Sequence, residues 1–230
     1  MLPENAVNLK IRIKFSKTGS LKFISHLDLQ RTMQSSFLRS KLPIYYSEGF
    51  NPHPKVVFTP PLSVGVSSLT EFVDVKMVAD VSAEEIKEKL NASFPKGLCA
   101  LSVYEPKSKF SDIKWGLYGI GFELTCEAPE DICEKVQSVL SAEEIMIEKF
   151  SKKGEAKRVN IASGIHFVGA ELKDGLLFVR VKLSCDTENF VNPKYIGETL
   201  SAAMPEIFAG AEEETCRMEV YLADGETLFE

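Results

Sequence analysis

The sequence has no long apolar run, no paired cysteines and few histidines. Its 230 residues include five cysteines and three histidines. No stretch reaches the roughly 18 apolar residues of a membrane-spanning helix, and residues 1–15 lack the charged and then apolar pattern of a signal peptide. The cysteines are scattered without a CxxC pair: they are Cys99, Cys126, Cys133, Cys185 and Cys216. These absences argue against membrane insertion, a disulfide framework, a closed zinc site and an iron–sulfur cluster. We therefore expect a cytoplasmic protein without a metal or a cofactor.

The usual nucleotide-binding loops are absent as well. Neither GxGxxG nor GxxxxGK[ST] occurs in the sequence, which removes the common arguments for a phosphate-cradling loop. Hydrophobic residues make up 44% and charged residues 26% of the chain, and this mixture is typical of a globular protein. A chain of this length can form one large domain or two domains of about 110 residues each.

The formal net charge of −6 is distributed unevenly along the chain. Residues 1–61 contain nine basic and three acidic side chains, a net charge of +6. The remaining residues contain 18 basic and 30 acidic side chains, a net charge of −12. Such an asymmetry indicates a basic surface on an acidic body.

The N-terminal half has the pattern of one βαββαβ unit. Residues 8–16 alternate between apolar and basic side chains, which predicts a strand with one apolar and one basic face. Ser25 is the expected N-cap of a helix from His26 to about Ser40, with Asp28 in the position of the capping-box glutamate. A strand or loop within the proline-rich residues 43–66, a strand at residues 71–78, a helix at 83–93 and a strand at 98–104 follow.

The C-terminal half repeats this order of elements. We expect a strand at 115–126, a helix at 129–140, strands at 144–150 and 176–183, a helix at 192–204 and a strand at 215–222. The fold is therefore predicted as α+β, with two tandem ferredoxin-like halves, antiparallel sheets and helices on one face. The first domain spans residues 1–108 with a proline-rich loop insertion at 43–67. The second spans 109–230 with an inserted hairpin at about 151–172.

Two motifs, SHLDLQRTMQ (25–34) and GFNPHP (49–54), form the strongest candidate for a site. Lys22 and His26 lie at a predicted helix N-terminus, where anions bind readily. If the GFNPHP loop folds back onto it, Asn51, His53 and Lys55 join the same pocket. The alternative is that Ser25 and Asp28 only cap the helix and that the histidines bond to loop backbone.

The basic residues and nearby aromatic residues also suit contacts with RNA phosphates and bases. The candidate RNA- or anion-binding residues are Lys10, Arg12, Lys14, Lys22, Ser25, His26, Arg31, Arg39, Tyr45, Tyr46, Phe50, Asn51, His53 and Lys55. The alternative is an ordinary solvated face. A smaller basic run, for which we favour a solvated hairpin over an RNA contact, comprises Lys149, Lys152, Lys153, Lys157 and Arg158.

Three motifs resemble a known bacterial family. The SHLD segment at 25–28, GFNPHP at 49–54 and PLSVGVS at 61–67 are similar to the radical-SAM-linked domain of unknown function. The resemblance is specific across residues 10–78, and the length of the family covers nearly the whole chain. Residues 159–165 (VNIASGI) depart from the more acidic, arginine-bearing segment of the family. The resemblance implies a radical SAM enzyme encoded nearby as a partner.

Three functions are compatible with these observations. The leading hypothesis is a non-catalytic accessory protein that binds RNA, either tRNA or rRNA, through a basic N-terminal face. The second is a metal-independent endoribonuclease in which His26 or His53 acts as general base. The order of predicted elements in this sequence is similar to that of tandem ferredoxin-like CRISPR-repeat endoribonucleases. The third is a protein-docking module in which the GFNPHP loop binds the radical SAM enzyme or a small anionic ligand.

Overall fold

A computed structural model describes residues 9–150 and 156–230 of the chain. These residues divide into two compact units, one ending at Asp112 and including Glu230, and the other comprising Ile113–Phe229. None of the helices in the described part of the chain has both the length and the apolar character that a bilayer crossing requires.

The first unit is a four-stranded antiparallel sheet with two helices. The strands have the order β4-β1-β3-β2, and every neighbouring pair is antiparallel. In chain order the elements are β1 (Leu9–Lys17), α1 (His26–Ser40), β2 (Val56–Phe58), β3 (Ser67–Met77), α2 (Ala83–Ser93) and β4 (Leu98–Tyr104).

The helices of this unit begin where short polar residues satisfy free backbone groups. The Ser25 hydroxyl accepts a hydrogen bond from the Asp28 N–H at 3.2 Å, and Ser82 caps α2 in the same way. The helix α1 ends at Ser40, and the next residue, Lys41, caps it in a left-handed conformation with φ of 54°. The predicted bounds of both helices are confirmed. They could be predicted because helix capping and apolar spacing involve residues that are close together in the sequence.

Both helices pack on the same face of the sheet. Apolar side chains from α1 and α2 share one core with alternate residues of β1, β3 and β4. From α1, the core includes Met33 and Phe37, and from β1 it includes Ile13 and Phe15, all essentially without exposed surface. The period-2 alternation of β1 thus directs its apolar side chains toward the helices.

The strands of the second unit follow the same spatial order as those of the first, but different segments connect them. Its strands have the order β10-β5-β9-β8, and all neighbouring pairs are antiparallel, while β6 and β7 form a separate two-stranded sheet. The elements are β5 (Trp115–Glu123), α3 (Ile132–Leu140), β6 (Met146–Phe150), β7 (Ala156–Asn160), β8 (Ile165–Lys173), β9 (Leu176–Ser184), α4 (Lys194–Ala203), α5 (Pro205–Phe208) and β10 (Glu212–Tyr221).

The position of the hairpin differs from the expectation of about 151–172. The inserted hairpin consists of β6 and β7, which pair with each other. The following strand, β8, pairs with β9 in the main sheet of the unit. Two residues, Asp174 and Gly175, connect β8 to β9, and both have positive φ, 50° and 80°. This is the turn geometry that joins neighbouring antiparallel strands most directly. The mixed α+β fold with antiparallel sheets is confirmed.

Candidate functional site

Arg12 lies in a buried ion pair, contrary to its expected place on an exposed basic face. It has no exposed surface, and its Nε and Nη2 atoms lie 2.8 and 3.1 Å from the two carboxylate oxygens of Asp74. Its guanidinium also donates to the carbonyl oxygens of Ser108 and Glu230, at 2.9 and 3.1 Å. The ring of Phe110 lies 4.4 Å from the guanidinium carbon. Residues from distant parts of the chain therefore cover this side of β1.

Burial affects the other groups around Arg12 as well. Desolvation raises the pKa of Tyr104 to about 12, although the charge of Arg12 acts in the opposite direction. Lys10 remains exposed and pairs with Asp74 at 3.0 Å. Lys14 is half-buried and Lys17 is buried. The basic side of β1 is thus mainly an internal electrostatic network, and only Lys10 and Lys14 of its cations reach solvent.

The GFNPHP segment forms the tip of an ordered loop that is anchored to the sheet. The backbone N–H of Tyr45 donates to the Lys76 carbonyl at 2.8 Å, and the N–H of Lys55 donates to the Tyr45 carbonyl at 3.2 Å. Tyr46 forms an isolated bridge with Pro54 and packs against the apolar core. Burial raises the pKa of the Tyr46 hydroxyl. The base of the loop is therefore part of the structured unit.

Ser47 and His53 close the tip of this loop. The Ser47 N–H donates to the His53 carbonyl at 2.9 Å, and the Ser47 hydroxyl accepts from the His53 N–H at 3.1 Å. The same hydroxyl lies 3.0 Å from His53 Nδ1, and the Asn51 carbonyl lies 3.3 Å from that nitrogen. Gly49 has a φ of 133°, a conformation that favours glycine. His53 thus stabilises the loop, and the ring of Phe50 is fully exposed beside it.

His26 contacts β2 rather than the loop tip. Its ring lies edge-on to the Phe58 ring, with 5.7 Å between the ring centroids. The side-chain nitrogen of Gln30 lies 2.9 Å from His26 Nε2. Burial lowers the pKa of His26, the negative charge of Glu71 opposes this effect, and the charge of Lys17 adds to it. In the described chain, no hydrogen bond or ring contact joins His26 to His53.

The N-terminus of α1 is already capped by its own residues. Besides accepting from the Asp28 N–H, the Ser25 hydroxyl donates to the Asp28 carboxylate at 2.7 Å. This bond is the main reason that the pKa of Asp28 is lowered. Arg31 is exposed and lies 3.3 Å from the same carboxylate. These contacts favour the capping interpretation of Ser25 and Asp28 over an anion pocket.

Arg39 is exposed but contributes to the packing of the two helices. Its Nη2 donates to the Ser93 carbonyl at 2.8 Å and to the Ser36 hydroxyl at 3.1 Å. Since Ser93 is the last residue of α2, this guanidinium holds the ends of the two helices together. Arg39 is therefore a structural residue of the unit as well as a surface cation.

Exposed apolar side chains lie near the remaining cations in sequence, and of these the sequence analysis had named only Phe50. The Gly65 N–H donates to the Lys22 carbonyl at 2.8 Å, which connects the segment after β2 to the start of α1. We call the exposed or half-exposed residues along this connection and the loop tip the loop–helix surface: Lys22, Phe23, Leu27, Phe50, Lys55, Val57 and Val64. Of the apolar members, only Phe50 and Val64 adjoin a glycine in the sequence, and no local signal marks Phe23, Leu27 or Val57 as exposed.

The second basic run is only partly described. Lys152 and Lys153 lie outside the described residues. Lys149 donates to the Phe190 carbonyl at 3.2 Å, and Lys157 and Arg158 are exposed on β7.

A cavity of about 910 Å³ lies in the second unit, between α3, β6 and α4. Its lining includes Met146, Lys194, Tyr195 and Glu198, and Lys194 pairs with Glu198 at 3.0 Å. None of the predicted site residues lines it. In the described chain, no group of three or more potential metal ligands is present.

The comparisons with known proteins gave a family match and a structural match of low identity. No curated protein shows significant sequence similarity to it. A chain in the crystal structure of a Cbf5-Nop10-Gar1 complex is 13% identical, with a TM-score of 0.47. The match covers 91% of this chain and 48% of that chain, so this chain spans about half the length of its structural neighbour. The family described as an uncharacterized protein conserved in bacteria (DUF2344) matches residues 10–205, and the chain therefore belongs to this bacterial family.

Proposed function

We propose that the protein is a non-catalytic accessory protein that binds RNA through the loop–helix surface. One observation carries the proposal. Between residues 10 and 55, seven of the nine basic side chains reach solvent, whereas only two acidic side chains occur there. The exposed rings of Phe23 and Phe50 belong to the same part of the sequence. The seven are Lys10, Lys14, Lys22, Arg31, Arg39, Lys41 and Lys55. Two of them, Lys22 and Lys55, belong to the loop–helix surface.

Cations and exposed aromatic rings serve different parts of an RNA. Lysine and arginine neutralise phosphates and release counterions, which provides affinity independent of sequence. Aromatic rings provide flat apolar surfaces on which bases stack. The ammonium of Lys22 lies 5.2 Å from the centre of the Phe23 ring, so both kinds of group are adjacent at the start of α1.

We further propose that each unit is a ferredoxin-like domain. The order of helices and strands around the first sheet and the same strand order in the second support this assignment. Since one face of the first sheet packs on the helices and the other contains the buried Arg12, RNA would contact the loop and the edge at β2 rather than a sheet face.

The proposed cellular context is cooperation with a radical SAM enzyme in the cytoplasm. The resemblance of the SHLD and GFNPHP motifs to the radical-SAM-linked domain supports it. The protein would hold an RNA substrate for that enzyme.

The RNA proposal is tested by the salt dependence of binding. Replacing Lys22 and Lys55 by Ala should weaken binding of all RNA sequences alike and reduce the salt slope by about 0.7 for each lost phosphate contact. Fluorescence anisotropy of a labelled RNA over a salt series measures both effects. The variant K87A/K96A is a charge-matched control, because both lysines are exposed elsewhere in the same unit. Absence of RNA affinity at low salt, or equal effects of the two variants, would contradict the proposal.

A docking module for a protein partner is the second candidate. The exposed aliphatic side chains of Leu27, Val57 and Val64 favour it, since exposed apolar groups often mark protein interfaces. Stable co-purification with the radical SAM enzyme from nuclease-treated extract, without RNA affinity of the isolated chain, would support this function instead. The endoribonuclease hypothesis has less support, because His26 and His53 make separate structural contacts.

A further inference from the structure

Phe50 is placed where an unpaired base could stack on it. Its ring is fully exposed, whereas two other aromatic residues of the same segment, Tyr46 and Phe58, pack against the core. A phenylalanine gains nothing from exposure to water in the free protein, because burial of its apolar surface is favourable. We propose, on the basis of the proposed RNA-binding function, that Phe50 is a stacking platform that selects unpaired RNA over duplex RNA.

The loop holds the backbone around Phe50 in a closed tip before any ligand binds. The backbone and side-chain bonds between Ser47 and His53 close the tip on both sides of Phe50. Pro52 and Pro54 restrict the following backbone, and Pro54 is buried. A loop backbone that is already closed loses little conformational freedom on binding, which is the general advantage of preorganisation.

The exposed Phe50 ring can distinguish single-stranded from duplex RNA because the faces of the bases are accessible only in the single strand. Bases inside a duplex are already stacked on their neighbours, so their faces are not available to a protruding ring. Unpaired bases have free faces, and aromatic side chains of RNA-binding proteins stack on them. Exposed Lys55, five residues after Phe50, is available to a phosphate of the same strand. The ligand class is therefore a single-stranded or looped RNA segment.

The experiment compares one RNA strand in two forms. The probes are a labelled, mixed-sequence RNA of about 12 nucleotides, within the range bound by single-strand-binding domains, and the same strand annealed to its complement. The wild-type protein should bind the single strand more tightly than the duplex. The variant F50A should bind the single strand about 5- to 150-fold more weakly, the range for loss of one stacked base, with duplex affinity unchanged. The variant F50L is the control for apolar bulk without an aromatic ring and should be weakened like F50A.

A second readout reports stacking directly. The sequence contains one tryptophan, Trp115, which lies in the other unit. In F50W, the added indole should retain single-strand binding, and its fluorescence should be quenched by the single strand beyond any change seen in the wild-type protein. Because Phe50 has no core contacts to lose, circular dichroism should show the same fold for all variants.

The outcomes separate this inference from the function on which it rests. Equal affinity for both RNA forms, or single-strand binding that F50A leaves unchanged, would overturn the stacking role while RNA binding stands. No binding of either form at low salt would refute the proposed function itself. Weaker binding by F50A without quenching in F50W would also overturn the stacking role.

Discussion

Replacing Arg12 by Ala distinguishes a stabilising role of this side chain from a binding role. The substitution leaves the Asp74 carboxylate buried without the guanidinium that contacts both of its oxygens at 2.8 and 3.1 Å. Removing one partner of a buried ion pair costs about 3–5 kcal/mol of unfolding free energy. We expect a loss of about 3 kcal/mol, at the lower end of that range, because Lys10 still contacts Asp74 at 3.0 Å.

Urea unfolding measures this loss. With a urea m-value of about 1.5 kcal/mol/M, which is typical of small domains, the midpoint of the first unit should fall by about 2 M. Far-UV circular dichroism is the appropriate signal, since Trp115 lies in the second unit. Replacing both partners, as R12M/D74L, should recover most of the stability because no buried charge is then left unpaired. An R12A protein with an unchanged midpoint and weakened RNA binding would refute the reasoning and restore β1 as a binding surface.

Three further predictions concern pH, capping and turn geometry. Because the pKa of His26 is lowered from 6.5 in the folded state, the unfolded chain binds more protons in the window just below 6.5. The unfolding free energy should therefore rise with pH through that window and level off above about 6.5. The variant H26Q should remove this dependence in urea titrations at several pH values, and an unchanged profile would contradict it. The variant S25A should cost about 1 kcal/mol and raise the pKa of Asp28 in an NMR titration, whereas an unmoved Asp28 pKa would exclude the Ser25 bond as its cause. The variant G175A should cost about 1–2 kcal/mol in thermal unfolding, because φ at this position is +80°, and a neutral effect would contradict the turn geometry.

Local signals predicted most of the secondary structure. Ser25 and Ser82 mark the starts of α1 and α2 because their side chains satisfy N–H groups only three residues away. The apolar spacing of Leu29, Met33 and Phe37 likewise depends on a single helix. These features involve neighbours in sequence, so an isolated sequence is sufficient to recognise them.

The pairing of strands was harder to predict from the sequence, with one exception. The strand expected at 144–150 pairs with β7 in a separate hairpin, because pairing partners depend on which edges the rest of the chain leaves free. Asp174 and Gly175, however, form an Asp-Gly turn between two alternating segments, a recognised hairpin signal. That signal could have placed β8 in the sheet.

The sequence by itself determined that Arg12 and Ile13 lie on opposite faces of β1, because side chains alternate along a strand. It also determined that positive charge is concentrated before residue 61. Only the tertiary structure decided which charges reach solvent. Ser108, Phe110 and Glu230 cover Arg12 from positions about 100 or more residues away in the chain, whereas Phe50, at the tip of the proline-rich loop, is left exposed. Burial is a property of nonlocal packing, and alternation along one strand carries no information about what covers it.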